Sequence, residues 1–317
     1  MSIRQELRCA NFGLNYFRED VFYLPQWNWP PMVFIIYRVV MALYCMVWVI
    51  YAASISPTAN LKEPWWAWLT NWSYIVLTCH MVLAAAISLW HTPKRCSRNN
   101  IGIEAGGGNS KDTAQQDHTY YTNPAVSADA AIDTTTDTTT SASLGHGASS
   151  GTNLVDTENG AKETSASIRW YMKLDWLLWT VASVCAIIVS LVIMVFAYPV
   201  LKGIPTPVDF QVHVANTILV LIDTIVAGYP VRILHVVYVH AYGCVYVVFS
   251  VIYWAVDHTN VMYPVLLDWN GPGYTFISLG VVFLIVMPLL QLIYYGIFRL
   301  KLYCLKRSPA PSGEVPL

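Results

Sequence analysis

Charge is what this sequence has least of. Only 12% of its 317 residues are Asp, Glu, Lys or Arg, whereas 56% are hydrophobic. The charged share is about half that of an ordinary soluble domain. A water-soluble fold of this size could not hide so much apolar surface and still cover itself with polar groups. A cytosolic enzyme is therefore excluded. The formal net charge of −1 creates no field that would gather a polyanion, which excludes a nucleic-acid binder. There is no CxxC pair and no HExxH stretch, so the strong metal motifs are missing and no metal or cofactor is expected. No secretory signal peptide is expected at the Met1 start either: Arg4, Glu6, Arg8, Arg18, Glu19 and Asp20 leave no apolar stretch there.

What is present is apolar sequence in long runs. Six occur, at residues 32–54, 69–90, 174–198, 210–228, 233–256 and 274–298. A bilayer core about 30 Å thick is crossed by a helix of roughly 20 such residues. Lipid offers no hydrogen bonds to the backbone, so each run is predicted to be a helix. The fold class is all-α, a polytopic six-helix transmembrane bundle. The fourth run is the weakest, being short and carrying His213, Asn216 and Asp223.

Lys and Arg set the orientation, because they accumulate on the cytoplasmic side. With the N-terminus inside, the inner segments hold 15 of the 18 basic residues. The outer segments hold only Lys62 and Lys202, and Arg38 lies within the first span. Both termini are predicted cytoplasmic. Residues 1–31 form a cytoplasmic N-terminal segment, 32–97 carry spans one and two, and 98–167 form a loop. Residues 168–298 carry spans three to six, and 299–317 form a cytoplasmic tail. The loop is rich in Thr, Ser, Gly, Asn and Asp and has too few apolar residues to offset its ordering entropy. It reads as a disordered spacer, or alternatively as a phosphorylation or adaptor segment. Trp27, Trp29, Trp65, Trp66, Trp68, Trp72, Trp170 and Trp176 stand where interfacial anchors belong.

None of the seven cysteines falls in an outer loop, which argues against a disulfide framework. Cys96 and Cys304 lie near membrane ends beside basic residues. They are candidate S-acylation sites, with inert thiols as the alternative.

Ionisable groups inside a bilayer are costly and need a partner or a purpose. Arg38 lies about six residues into span one, roughly 9 Å deep at about 1.5 Å per residue. Asp223 lies at similar depth in span four. Arg232 and His235 enter from the same side. The depths permit an Arg38–Asp223 pair with His235 close by. Such a cluster either fixes helix packing or forms a site for a headgroup, proton or substrate. A second polar layer lies toward the outer face. Thr70 and Asn71 open span two, and His213 and Asn216 are about one turn apart on span four, on one face. These residues either join spans two and four by hydrogen bonds or bind an ester carbonyl, with Thr70 as nucleophile if a base takes its proton. His80 lies nearer the middle of span two.

Gln26-Trp27, Tyr37-Arg38, Leu69-Thr70-Asn71-Trp72, His213 with Asn216, Asp223, Pro230 with Arg232, His235, Tyr246 with Phe249, Tyr253-Trp254, Tyr263-Pro264 and Leu267-Asp268-Trp269 follow one another in this order. Together they resemble the rolling stone family of invertebrate multipass membrane proteins, over essentially all the chain except the polar loop. The resemblance implies a plasma-membrane protein associated with myoblast fusion, and a non-enzymatic role is the leading expectation. Its partners would be the lipid bilayer and membrane proteins or a lipid ligand. A more distant likeness is to the androgen-induced-protein family of threonine hydrolases, which act on fatty acid esters of hydroxy fatty acids. That likeness implies Thr70 as nucleophile. The position of that family's catalytic His falls on Asn216, followed by Thr217, with His213 one turn earlier. Asn cannot act as a general base at neutral pH. Either His213 takes the role, or the fold persists without the activity.

Overall fold

In a computed structural model, the structure describes residues 6–27, 29–55, 64–105, 168–194, 207–264 and 266–307. Six helices among them are long and apolar enough to cross a membrane. They are α1 (Pro31–Ile55), α2 (Leu69–Ala105), α3 (Trp170–Val192), α4 (Pro207–Val226), α5 (Ile233–Val256) and α6. The last runs in three contiguous pieces, Pro272–Val281, Val282–Val286 and Met287–Arg307. No strand of a β-sheet occurs among the described residues; only the isolated bridges Pro25 to Ala227 and Tyr263 to Leu267 do. The protein is the all-α six-helix bundle that its apolar runs predict.

The helix bounds differ from the apolar runs where polar residues continue a helix beyond the membrane. Helix α2 was expected to end near residue 90 and continues to Ala105, through Pro93. Helix α6 continues past residue 298 to Arg307. Ile, Leu, Lys and Arg are adequate helix formers outside lipid as well. Most of the expected polar loop, 106–167, and the end of the tail, 308–317, lie outside the described residues, as does the loop's proposed modification.

Helix α1 shows why apolar periodicity alone could not orient these helices. Phe34, Arg38, Ala42 and Cys45 are buried, whereas Ile36, Val40, Leu43, Val47 and Ile50 are exposed. Both faces are apolar, because the outer one meets lipid, and the amphipathic contrast of a soluble helix is lost. Helix α3 is central: 67% of its apolar window is buried, against 28% for α1 and 17% for α5 and for α6. A polar residue on α3 is therefore in the interior.

The N-terminal segment does more than lead into α1. Val21, Phe22 and Tyr23 are buried. Phe22 meets Trp176 and Tyr229 at ring-centroid distances of 5.9 and 5.5 Å. The segment lies across one end of the bundle. There Arg232 donates to the carbonyls of Gly13 and Asn15 at 2.8 and 2.7 Å, and Lys173 donates to Asn15 at 2.9 Å. Arg18 and Arg95 both pair with Asp20. Gly228 makes this approach possible, since a Cβ there would stand 3.0 Å from the Val21 carbonyl oxygen.

The opposite end is closed by aromatic side chains. The Tyr246 hydroxyl of α5 accepts the Leu69 N–H at 3.1 Å and donates to the Ala67 carbonyl at 3.0 Å. It thus satisfies one of the unpaired N–H groups that every helix start leaves. Trp72 Nε1 and Asn71 Nδ2 donate back to the carbonyls of Trp66 and Trp65, each at 2.6 Å. Of the tryptophans here, Trp72 is thus tied by its indole N–H, whereas the indole nitrogens of Trp65 and Trp68 are buried without a partner among the described residues. Gly243 lets α5 approach α6 closely: a Cβ there would meet Phe283 at 2.8 Å and Met287 at 3.1 Å.

Candidate functional site

The expected Arg38–Asp223 pair forms. One terminal nitrogen of Arg38 donates to Asp223 Oδ1, which also accepts from the Tyr37 hydroxyl at 3.2 Å. Arg38 and Asp223 have no accessible surface. The other guanidinium nitrogens make no hydrogen bond among the described residues. Aromatic faces surround them instead: Phe34, Tyr37 and Tyr229 lie 5.0, 5.8 and 5.5 Å from the guanidinium carbon. The ring quadrupoles partly replace the missing acceptors.

The histidine in this cluster is His80 of α2. Its Nδ1 lies 2.8 Å from Asp175 Oδ1, and its Nε2 lies 3.2 Å from Asp223 Oδ2. The second oxygen of Asp175 accepts from the Tyr229 hydroxyl. Burial beside Asp175 pushes the Tyr229 phenol well up, so this hydroxyl stays a donor. The network thus runs from α1 through α4 and α2 to α3, and closes on the connection between α4 and α5. Nearby, Lys301 of α6 is buried and donates to the carbonyls of Thr224 and Ala227 at 2.7 Å each. These carbonyls lie at the end of α4, where a helix has acceptors to spare.

His235 lies elsewhere than expected. Its ring packs on Trp176 at 4.7 Å and on Tyr238 at 5.3 Å, and neither ring nitrogen makes a hydrogen bond among the described residues. Arg232 stacks over the other side of this cluster, 5.2 Å from Trp176, and holds the N-terminal segment. Burial lowers its pKa, against the opposing charge of Glu6. Arg232 and His235 therefore belong to the seat of the N-terminal segment and not to the Arg38–Asp223 network.

In the outer layer, no hydrogen bond joins Thr70 to His213. Thr70 sits at the wall of an apolar cavity of about 90 Å³, with Ile188, Tyr242, Tyr246, Tyr263 and Leu279. Its hydroxyl faces the Tyr263 phenol, whose pKa is raised by burial against the opposing hydrogen bonds of Thr70 and Tyr246. His213 Nδ1 and Asn216 Oδ1 are buried and unpartnered among the described residues. The Asn216 amide reaches only the Val212 carbonyl of its own helix, at 3.5 Å. The residue that joins the helices here is Gln211. It donates to the Tyr74 hydroxyl at 3.0 Å and accepts from Tyr44 at 2.6 Å, tying α4 to α2 and α1. Cys304 is exposed near the end of α6, and the side chain of Cys96 lies outside the described ones. Among the described residues, no group of His, Cys, Asp or Glu could hold a metal ion.

Sequence reasoning missed Asp175, Tyr229, Gln211 and Lys301. Asp175 lies five residues after Trp170 and two after Lys173, so it reads as an interfacial residue. Its signal was the unexplained His80 on the neighbouring span. Two buried ionisable groups without partners, on adjacent spans, are each other's first candidates.

Comparison with known proteins gives the same picture. The family model described as Protein rolling stone matches residues 1–140 and 142–309. The protein rolling stone of Drosophila melanogaster is 24% identical over 310 residues, which cover 95% of this chain and 90% of that protein. No solved structure matches. With a family model spanning nearly the whole chain and six apolar helices beneath it, this multipass membrane protein belongs to the rolling stone family.

Proposed function

We propose that the chain is a non-enzymatic plasma-membrane protein that acts in cell–cell fusion, of the myoblast type or a related developmental process. Its basic end faces the cytoplasm, and it works through the bilayer and membrane-protein partners. The observation that carries this reading is the state of the outer polar layer. Nucleophilic catalysis by a threonine needs a base within hydrogen-bond reach. Thr70 and His213 share no hydrogen bond, and the position that would hold a catalytic His is Asn216, whose amide carbonyl is unpartnered.

One observation favours the alternative, an intramembrane threonine-type hydrolase of fatty acid esters: Thr70 borders an apolar cavity. Its apolar lining matches the hydrocarbon part of such an ester. Labelling of the purified protein with a serine/threonine-hydrolase probe decides between the two. The fusion reading expects no labelling of the folded chain. Labelling that is lost in Thr70→Ala establishes the hydrolase.

A further inference from the structure

The buried network has a proton count that its residues would not carry in water. A free imidazole has a pKa near 6.5 and is mostly neutral at neutral pH. In that state it offers one N–H and one lone pair. Here both ring nitrogens of His80 face carboxylate oxygens, of Asp175 at 2.8 Å and of Asp223 at 3.2 Å. A carboxylate oxygen only accepts. A neutral ring would therefore set a lone pair against an oxygen in one of the two contacts. The charges agree with the geometry. Among the groups bonded to one another, Arg38 with Asp175 and Asp223 leaves one negative charge in excess, where Arg38, His80, Asp175 and Asp223 are all fully buried; the further cation facing Asp223, Lys301, bonds the Thr224 and Ala227 carbonyls and neither carboxylate. An unpaired buried charge is among the costliest features a fold can hold.

We infer that Arg38, His80, Asp175 and Asp223 form a proton-binding site, in which one proton taken from solvent makes His80 an imidazolium and brings the cluster to neutrality. The remaining acceptor positions are filled by donors: Tyr37 and Arg38 on Asp223, and Tyr229 on Asp175. The other titratable groups facing Asp223 are Cys45 of α1 and Lys301 of α6. His240 shows the contrast. Its nitrogens face the carbonyls of Val236 and Phe283, at 2.8 and 2.7 Å, and no carboxylate. The proton on His80 is a tie between helices. It lets α2 donate to α3 and to α4 at once, and its removal would leave one of these contacts repulsive. This goes beyond a role in fusion and holds whether or not the chain has one.

The test is ring-nitrogen NMR of the full chain, labelled at histidine and held in lipid nanodiscs at pH 7. The His80 signals are assigned by their absence in His80→Gln. The expected result is a His80 ring with two N–H nitrogens in the wild type and only one in Asp175→Asn, where neutrality no longer requires the extra proton. A neutral His80 ring in the wild type, or a ring that stays doubly protonated in Asp175→Asn, overturns the inference. Thermal unfolding gives an independent reading: His80→Gln lowers the midpoint, and Asp175→Asn in the same chain recovers at least half of the loss. A double variant no more stable than His80→Gln contradicts the charge count.

Discussion

Arg38 and Asp223 stand 185 residues apart in the chain and hold each other's charge in the interior. Each was legible as an intramembrane charge, and their matching depth suggested the pair. Removing one partner leaves the other charge buried and unpaired, which costs about 3 to 5 kcal/mol. Arg38→Leu and Asp223→Leu should each lower thermal stability in detergent by this order, and the double change should cost less than the sum. Additive losses would show that the two residues do not act as a pair. The rest of the cluster was harder to read. His80 gave no sign of which carboxylate it meets, because Asp175 lies close to the basic start of α3. Tyr229 belongs to a connection between helices that apolar runs do not describe. His235 was misplaced for a related reason: depth along the membrane was known, but rotation about the helix was not, and rotation turns its ring onto Trp176.

At the scale of elements, the six spans were read from length and hydropathy because lipid leaves the backbone only one solution. The ends were not, since a helix that leaves the membrane can continue in polar sequence, as α2 and α6 do. Nor was the docking of the N-terminal segment, whose charged residues look like those of a solvated leader. Arg232 and Tyr238 hold it from the bundle, and its own Val21, Phe22 and Tyr23 are buried. Gly228 is the position where this seat has no room, because the neighbouring atom is a backbone oxygen and not the end of a flexible side chain. Gly228→Ala should therefore loosen the segment while the spans stay intact. The expected outcome is faster limited proteolysis between residues 6 and 27, with thermal unfolding of the bundle little changed. Unchanged proteolysis would show that the segment is held without this close approach.

For the whole molecule, two polar layers separate by role. The inner one ties α1, α2, α3 and α4 through charges, and the outer one is held by Gln211, Tyr246 and the Trp72 indole. The segments rich in Lys and Arg share one end of the bundle, where Arg95, Lys173, Arg232 and Lys301 all meet backbone or carboxylate oxygens or side-chain amides. Tags at both termini should be reachable only after the plasma membrane is permeabilised. A C-terminal tag reached in intact cells would contradict that orientation. The proposed role in fusion needs no chemistry at Thr70. Its most direct test is a cell–cell fusion assay in cells stripped of their own copy and supplied with the Thr70→Ala, His213→Ala double variant, matched for surface level. Fusion is expected within about twofold of the wild-type chain, well short of the tenfold change that 1.4 kcal/mol of lost catalysis would bring. A loss of fusion at normal surface level would contradict it.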